Sequence, residues 1–133
     1  MSSEQSRRVL VIDADQELRE AFAALLRNKS LIVDEAEDGP EAIEKLASVS
    51  YAVVLLDLML PVVDGFGVLA TLDAPPAESP VVMVMSGAER PVLGRIDSQR
   101  IHGIVRKPFD LEEIAGVVAA CAEVRIDSRS PTS

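Results

Sequence analysis

Five consecutive apolar residues, Ala52 to Leu56, end on the acid Asp57 and constrain the fold of this chain more than any other stretch. An unbroken apolar run of this length predicts a strand that is buried on both faces of a parallel sheet. The loop that follows contains Pro61 and the turn signal Asp64-Gly65. Ligands of open α/β sheets bind outside the carboxyl ends of the strands. Asp57 is therefore a candidate site residue, and the alternative is an ordinary strand-end acid that caps a turn.

Apolar strand segments alternate along the chain with segments whose apolar residues recur at helical spacing. The predicted strands are residues 9–12, 31–33, 52–57, 80–85 and 101–106, and the predicted helices are residues 16–27, 41–48, 65–72 and 111–124. Residues 88–100 are expected to add a poor helix, because Pro91 and Gly94 interrupt it. The repeated β-α alternation predicts an α/β fold with a parallel, doubly wound sheet and helices on both faces.

The length and composition predict a single globular domain inside the cell. The 133 residues are expected to form one domain over residues 7–124, with a disordered stretch at 1–6 and a flexible tail at 125–133. The net charge of −9 argues against direct DNA binding, which requires a basic face. No apolar run is long enough to span a membrane, and the start lacks a signal peptide. The single cysteine, Cys121, cannot form an internal disulfide, so we expect a cytoplasmic location.

Polar residues stand at the carboxyl ends of four predicted strands, where a doubly wound sheet would bring them together. They are Asp13, with Asp15 nearby, and Asp57, Ser86 and Lys107. Carboxylates and a carbonyl suit Mg²⁺, which takes oxygen ligands and keeps several waters. An ammonium and a hydroxyl are donors that would hold phosphoryl oxygens, and with a metal they would neutralise charge as a phosphoryl group transfers to a carboxylate.

The motifs that carry these residues resemble the receiver domain of two-component response regulators. They are Val9-Leu-Val-Ile-Asp13, Leu55-Leu-Asp-Leu-Met-Leu-Pro61 with Asp64-Gly65, Val84-Met-Ser86 and Lys107-Pro-Phe109. The resemblance extends from about Arg7 to Val124 in the order and approximate spacing of that family. It implies a five-stranded flavodoxin-like fold with the strand order 2-1-3-4-5.

The resemblance also implies a role for each of these residues. Asp57 matches the phosphoacceptor, which receives a phosphoryl group from a phosphohistidine on a sensor kinase or phosphotransfer protein. Ser86 and Lys107 match the residues that bind the phosphoryl group, and Pro108 matches a proline that follows the lysine through a cis bond. Such a domain is a signalling module and not an enzyme, apart from its own phosphoryl transfer and slow dephosphorylation. A downstream protein effector is implied as partner, with a homodimer as a further option.

The resemblance implies an Mg²⁺ site as well, and the sequence departs from the family there. Asp13, Asp57 and the backbone carbonyl of Met59 match metal ligands. Ala14 stands where the family usually has a second acid, so metal binding is expected to be weak. Asp15 is an alternative ligand, although we favour a role as helix cap.

Two functions therefore compete. The first is a phosphorylated, stand-alone receiver, which Asp57, Ser86 and Lys107 favour. The second is a pseudo-receiver, a protein-interaction module without phosphorylation. It is favoured by Ala14, by the interrupted segment at 88–100, and by Ile104, which replaces the ring that in the family swings inward on activation. A phosphohydrolase would need an acid at Met59, and a dinucleotide-binding domain would need a Gly-rich loop after the first strand.

The substitution Ala14→Asp tests the first departure. It returns a carboxylate to the place that a metal ligand usually occupies, so the affinity for Mg²⁺ should increase. Isothermal titration of metal-free wild type and variant compares the two dissociation constants. Equal constants would rule out Ala14 as the cause of weak metal binding.

Overall fold

The computed structural model of the protein describes residues 7–60, 62, 64–72, 80–87 and 101–129, with side chains as far as residue 122. Five strands lie in one parallel sheet in the order β2-β1-β3-β4-β5. They are β1 (Arg8–Ile12), β2 (Ile32–Ala36), β3 (Val53–Asp57), β4 (Val81–Ser86) and β5 (Gly103–Arg106). This order confirms the predicted doubly wound, flavodoxin-like fold.

Four helices connect or follow these strands in the described part of the chain. They are α1 (Gln16–Asn28), α2 (Gly39–Ser48), α3 (Gly65–Leu69) and α4 (Leu111–Arg129). The first three begin at an aspartate whose carboxylate accepts a backbone N–H of the first turn: Asp15 from Leu18, Asp38 from Glu41 and Asp64 from Gly67. Such capping satisfies an N–H that has no partner inside the helix.

Apolar clusters cover both faces of the sheet. One cluster joins the sheet to α1 and α4 and includes Val9, Val11, Phe22 and Leu26. The other joins the opposite face to α2 and α3. Every residue of β3 is buried, as its unbroken apolar sequence predicts.

Three predicted boundaries are wrong by three residues or more. Helix α4 runs to Arg129 and not to Val124, because no Gly or Pro occurs between Val124 and Pro131 to interrupt it. Helix α3 ends at Leu69 instead of Leu72, since the last N–H groups there bond to carbonyls three residues back. Strand β2 continues through Asp34 and Glu35, whose carboxylates are paired with basic side chains. The expected helix at 88–100 and the terminal stretches at 1–6 and 130–133 lie outside the described residues.

Gly65 lies where the start of α3 contacts the end of β3. A Cβ atom at this position would be 2.6 Å from the Leu58 Cα atom and 2.8 Å from the Asp57 carbonyl oxygen. Both neighbours are backbone atoms, which cannot rotate away as the end of a side chain can. Helix α3 therefore packs this closely against the candidate site only because residue 65 has no side chain.

The substitution Gly65→Ala should lower the free energy of unfolding by about 1–3 kcal/mol, because it forces α3 away from the backbone of β3. Gly116→Ala in α4 is the matched control, since a Cβ atom there has no neighbour within 4 Å. The control should be neutral or stabilising by up to about 1 kcal/mol, as expected for Gly to Ala in a helix. Urea denaturation measures both, and equal effects of the two substitutions would contradict the close contact.

Candidate functional site

Three of the predicted site residues meet at the carboxyl edge of the sheet. Asp13 follows β1, Asp57 ends β3 and Lys107 follows β5. The Lys107 Nζ atom lies 2.8 Å from Asp13 Oδ2 and 3.3 Å from Asp57 Oδ2, so one ammonium contacts both carboxylates. Residues separated by 50 and 94 positions in the sequence are thus brought together by the strand order.

Asp57 is a buried carboxylate with 5% of its surface exposed. Its Oδ1 atom accepts the Met59 N–H at 2.9 Å. Burial raises the pKa of the Asp57 carboxyl, and the nearby negative charge of Asp13 adds to this effect. The Met59 N–H and the Lys107 ammonium act in the opposite direction, but the net pKa remains above the usual value for aspartate. Added positive charge beside Asp57 is therefore favourable.

Lys107 is held in its charged form by the two acids. Partial burial of the Lys107 ammonium lowers its pKa, but hydrogen bonds and attraction from Asp13 and Asp57 outweigh burial, so the net pKa is raised. Its backbone N–H donates to the Ser86 carbonyl oxygen at 3.1 Å, which fixes the start of its loop against β4. The peptide bond from Lys107 to Pro108 is cis, as predicted.

Asp13 has 1% of its surface exposed, and hydrogen bonds fix both its side chain and its main chain. Its Oδ1 atom accepts the Asp15 N–H at 2.9 Å, and its own N–H donates to the Ala36 carbonyl at 3.0 Å. Its carbonyl oxygen accepts from Arg19 Nη1 at 2.9 Å. Arg19 is a residue of this site that was not among the predicted ones. The signal was nonetheless present, because Arg19 shares the apolar stripe of α1 with Phe22 and Leu26.

The remaining predicted residues occupy the surroundings of this cluster. Ser86 is fully buried at the end of β4, one residue beyond the pairing of Asp57 with Met85. Ala14 is exposed. The Asp15 carboxylate caps α1, so it would have to leave the Leu18 N–H to reach a metal. The Met59 side chain is 65% exposed, and Ile104 on β5 is 47% exposed.

The oxygen atoms at this edge fit a hard cation. Two buried carboxylates share one ammonium, which leaves negative charge that a cation can neutralise. Within the described part of the chain, no group of three or more His, Cys, Asp or Glu side chains is arranged to hold a metal ion. A cation here would therefore depend on two carboxylates, a backbone carbonyl and water. Mg²⁺ tolerates such a set because it retains several waters.

Comparison with known proteins identifies the family. The model of the response regulator receiver domain matches residues 9–119, and the chain belongs to this family of signalling modules. The transcriptional regulatory protein ResD of Bacillus subtilis is 29% identical over 121 residues, which cover 86% of this chain and 47% of ResD. The transcriptional activator protein PfeR of Pseudomonas aeruginosa is 33% identical over 130 residues, which cover 92% of this chain and 40% of PfeR.

Solved structures share the fold. A signal receiver domain from Bermanella marisrubri has a TM-score of 0.76 and 30% identity, and the match covers 88% of this chain and 98% of that one. TrrA of Thermotoga maritima, solved in complex with Mg²⁺ and BeF, has a TM-score of 0.73 and 24% identity, with 86% and 98% covered. A CheY-like receiver from Methanospirillum hungatei has a TM-score of 0.81 at 15% identity, with 92% and 98% covered.

These comparisons bear on two further predictions. The chain spans less than half the length of the curated relatives named above, and both are transcriptional regulators. The prediction that the protein does not bind DNA directly therefore finds no support. None of the helices in the described ranges is long and apolar enough to cross a membrane.

Removal of the positive charge of Lys107 and removal of the negative charge of Asp57 should change stability in opposite directions. Lys107→Met leaves two buried carboxylates without their ammonium and should lower the free energy of unfolding by about 1–3 kcal/mol. Asp57→Asn removes one of the two negative charges and should raise it by about 1 kcal/mol, since the raised pKa of Asp57 means that the neutral form favours the folded state.

Urea denaturation at neutral pH with a metal chelator measures both variants. Asp64→Asn is the matched control for Asp57→Asn. It makes the same chemical change at the exposed N-cap of α3, where asparagine caps a helix equally well. A destabilised Asp57→Asn variant would contradict the excess of negative charge at this edge of the sheet.

Proposed function

We propose that this receiver domain accepts a phosphoryl group on Asp57 from a phosphohistidine of a sensor kinase or phosphotransfer protein. The observation that carries the proposal is the contact of the Lys107 ammonium with both Asp13 and Asp57. A carboxylate nucleophile beside a fixed cation is the arrangement that phosphoryl transfer requires, because the ammonium neutralises charge on the phosphoryl oxygens.

The transfer forms one bond and breaks one. An oxygen of the Asp57 carboxylate attacks the phosphorus atom, and the new O–P bond gives an acyl phosphate. The N–P bond of the phosphohistidine breaks, and its electron pair stays on the imidazole nitrogen, which then takes a proton. The Lys107 ammonium turns from the Asp57 carboxylate to a phosphoryl oxygen, and the Ser86 hydroxyl donates to another. Burial of Asp57 removes competing water from the nucleophile.

Mg²⁺ is the cation that we propose for this site, held by Asp13, Asp57 and the backbone carbonyl of Met59. When bound, it supplies positive charge that stabilises the oxygens of the transferring group. The complex of the relative TrrA with Mg²⁺ and BeF supports this assignment. Weak binding is expected, because Ala14 provides no ligand and Asp15 is engaged as the cap of α1.

The phosphorylated domain would act in the cytoplasm by binding a downstream protein effector, with homodimerisation as a further option. Movement of the Ser86 and Lys107 side chains toward the phosphoryl group would alter β4, β5 and the adjoining loops. Ile104 carries no ring that could turn inward, so the change would reach a partner through the backbone of β5. Met59 provides no polar group to position a hydrolytic water, so the acyl phosphate should be lost slowly.

Phosphorylation tests this proposal directly. Wild type, Asp57→Asn and Asp64→Asn are incubated with acetyl phosphate and Mg²⁺, and then with a purified phosphorylated phosphotransfer protein. Gels that retard phosphoproteins should show a shifted band for wild type and Asp64→Asn and none for Asp57→Asn. The shifted band should require Mg²⁺ and decay slowly once the donor is removed.

Two results would contradict the proposal. A shifted band that persists in Asp57→Asn would place the phosphoryl group elsewhere. Absence of a shifted band with every donor at high Mg²⁺, in folded protein, would favour the pseudo-receiver, which acts by binding partners without phosphorylation.

A further inference from the structure

Arg19 is a buried charged residue that none of the roles described so far requires. It lies on α1 among Phe22, Ala23 and Leu26, and only 9% of its surface is exposed. A guanidinium in such a position is costly unless its N–H groups are bonded. Here one N–H is bonded to the Asp13 carbonyl at 2.9 Å, and the Nε–H is bonded to Glu35 Oε1 at 3.2 Å.

The group that Arg19 binds, the Asp13 carbonyl, is as important as the burial of Arg19. Asp13 lies just beyond the last residue of β1, and the described pairings of β1 end at Ile12. Its N–H is bonded to the Ala36 carbonyl on β2, and its carbonyl is bonded to Arg19. The two bonds fix the peptide groups on both sides of the Asp13 Cα atom, and so they fix the direction in which its carboxylate points.

The fixed direction of the Asp13 carboxylate is important because the next residue is not an acid. The neighbouring position carries Ala14, which has no carboxylate. Asp13 is therefore the acid of this loop that contacts Lys107 in the described structure. Arg19 and Glu35 also connect that loop to the edge strand β2, and Arg27 binds the other oxygen of Glu35 at 3.4 Å.

We propose that Arg19 is a positioning residue for the cation site. Its guanidinium connects the Asp13 carbonyl to the Glu35 carboxylate of β2, and this connection directs the Asp13 carboxylate toward Lys107 and Asp57. Residues that orient a metal ligand typically change metal affinity by about 10-fold or more when removed. The planar guanidinium serves this role because it donates in two fixed directions, toward the carbonyl and toward the carboxylate. This inference rests on the proposed function where it concerns Mg²⁺, but not where it concerns the metal-free site.

The experiment compares Arg19→Met with Arg27→Met. Both remove an arginine from the same helix and a contact with the same glutamate, but Arg27 contacts the Val33 carbonyl and not Asp13. Amide NMR first records the metal-free proteins, with two reporters at the site. The Asp15 N–H is bonded to the Asp13 carboxylate, and the Met59 N–H is bonded to the Asp57 carboxylate. Titration with MgCl₂ then gives the dissociation constant.

Arg19→Met should move the resonance of the Asp15 amide proton upfield, and the resonance of the Met59 amide proton should stay unchanged. It should also weaken Mg²⁺ binding by about 10-fold. Arg27→Met should change neither reporter nor the dissociation constant, even if it lowers stability. Unchanged Asp15 shift and Mg²⁺ affinity in Arg19→Met, or equal effects in both variants, would overturn the proposal.

The variant Arg19→Lys separates the effect of the positive charge from the effect of the guanidinium geometry. It keeps the charge opposite Glu35 and replaces Arg19→Met if that variant does not fold. A lysine cannot donate in both directions with the same geometry, so the Asp15 shift and the Mg²⁺ affinity should still change. Wild-type behaviour of Arg19→Lys would show that charge alone is needed and would overturn the positioning role. If wild type itself binds no Mg²⁺, the proposed function fails, while the Asp15 reporter still decides the role of Arg19.

Discussion

Two buried carboxylates that share one ammonium are the constraint on which this structure depends. Asp13 and Asp57 lie almost out of solvent, where like charges are poorly screened, and Lys107 neutralises only one of them. We expect this arrangement to lower stability, and the order of the strands imposes it. This edge of the sheet therefore carries excess negative charge that an additional cation can neutralise, and it holds a carboxylate beside an ammonium.

The helices keep these charges in place through contacts with the backbone. Helix α3 packs against the end of β3 at Gly65, where a single methyl group would collide with the Asp57 carbonyl. Helix α1 reaches the end of β1 through Arg19, which binds the Asp13 carbonyl. On each face of the sheet a helix thus contacts the backbone beside one of the two carboxylates. For the function proposed above, such preorganisation would limit the reorientation that the charged groups need when a phosphoryl group is transferred.

The sequence predicted the fold and the members of the cluster because both follow local rules. Apolar runs that end on polar residues locate the strands, and the β-α alternation places their ends together. The apolar stripe of α1 indicates that Arg19 is buried, but its partners, the Asp13 carbonyl and the Glu35 carboxylate, are set by the tertiary fold and not by local pattern. Likewise, acids at Asp34 and Glu35 suggested a loop, but their pairing with arginines lets β2 continue. Boundaries and charge pairs of this kind are decided by packing and not by propensity.

The most direct test of the account is an amide NMR titration with Mg²⁺ followed by beryllofluoride, a mimic of the aspartyl phosphate that does not depend on its lifetime. We expect shifts that require both additions, begin at residues 13, 57, 86 and 107, and continue along β5. Asp57→Ala should abolish them. No response of the folded wild type at high Mg²⁺, or an undiminished response of Asp57→Ala, would contradict the claim that Asp13, Asp57 and Lys107 form a phosphoryl-accepting site.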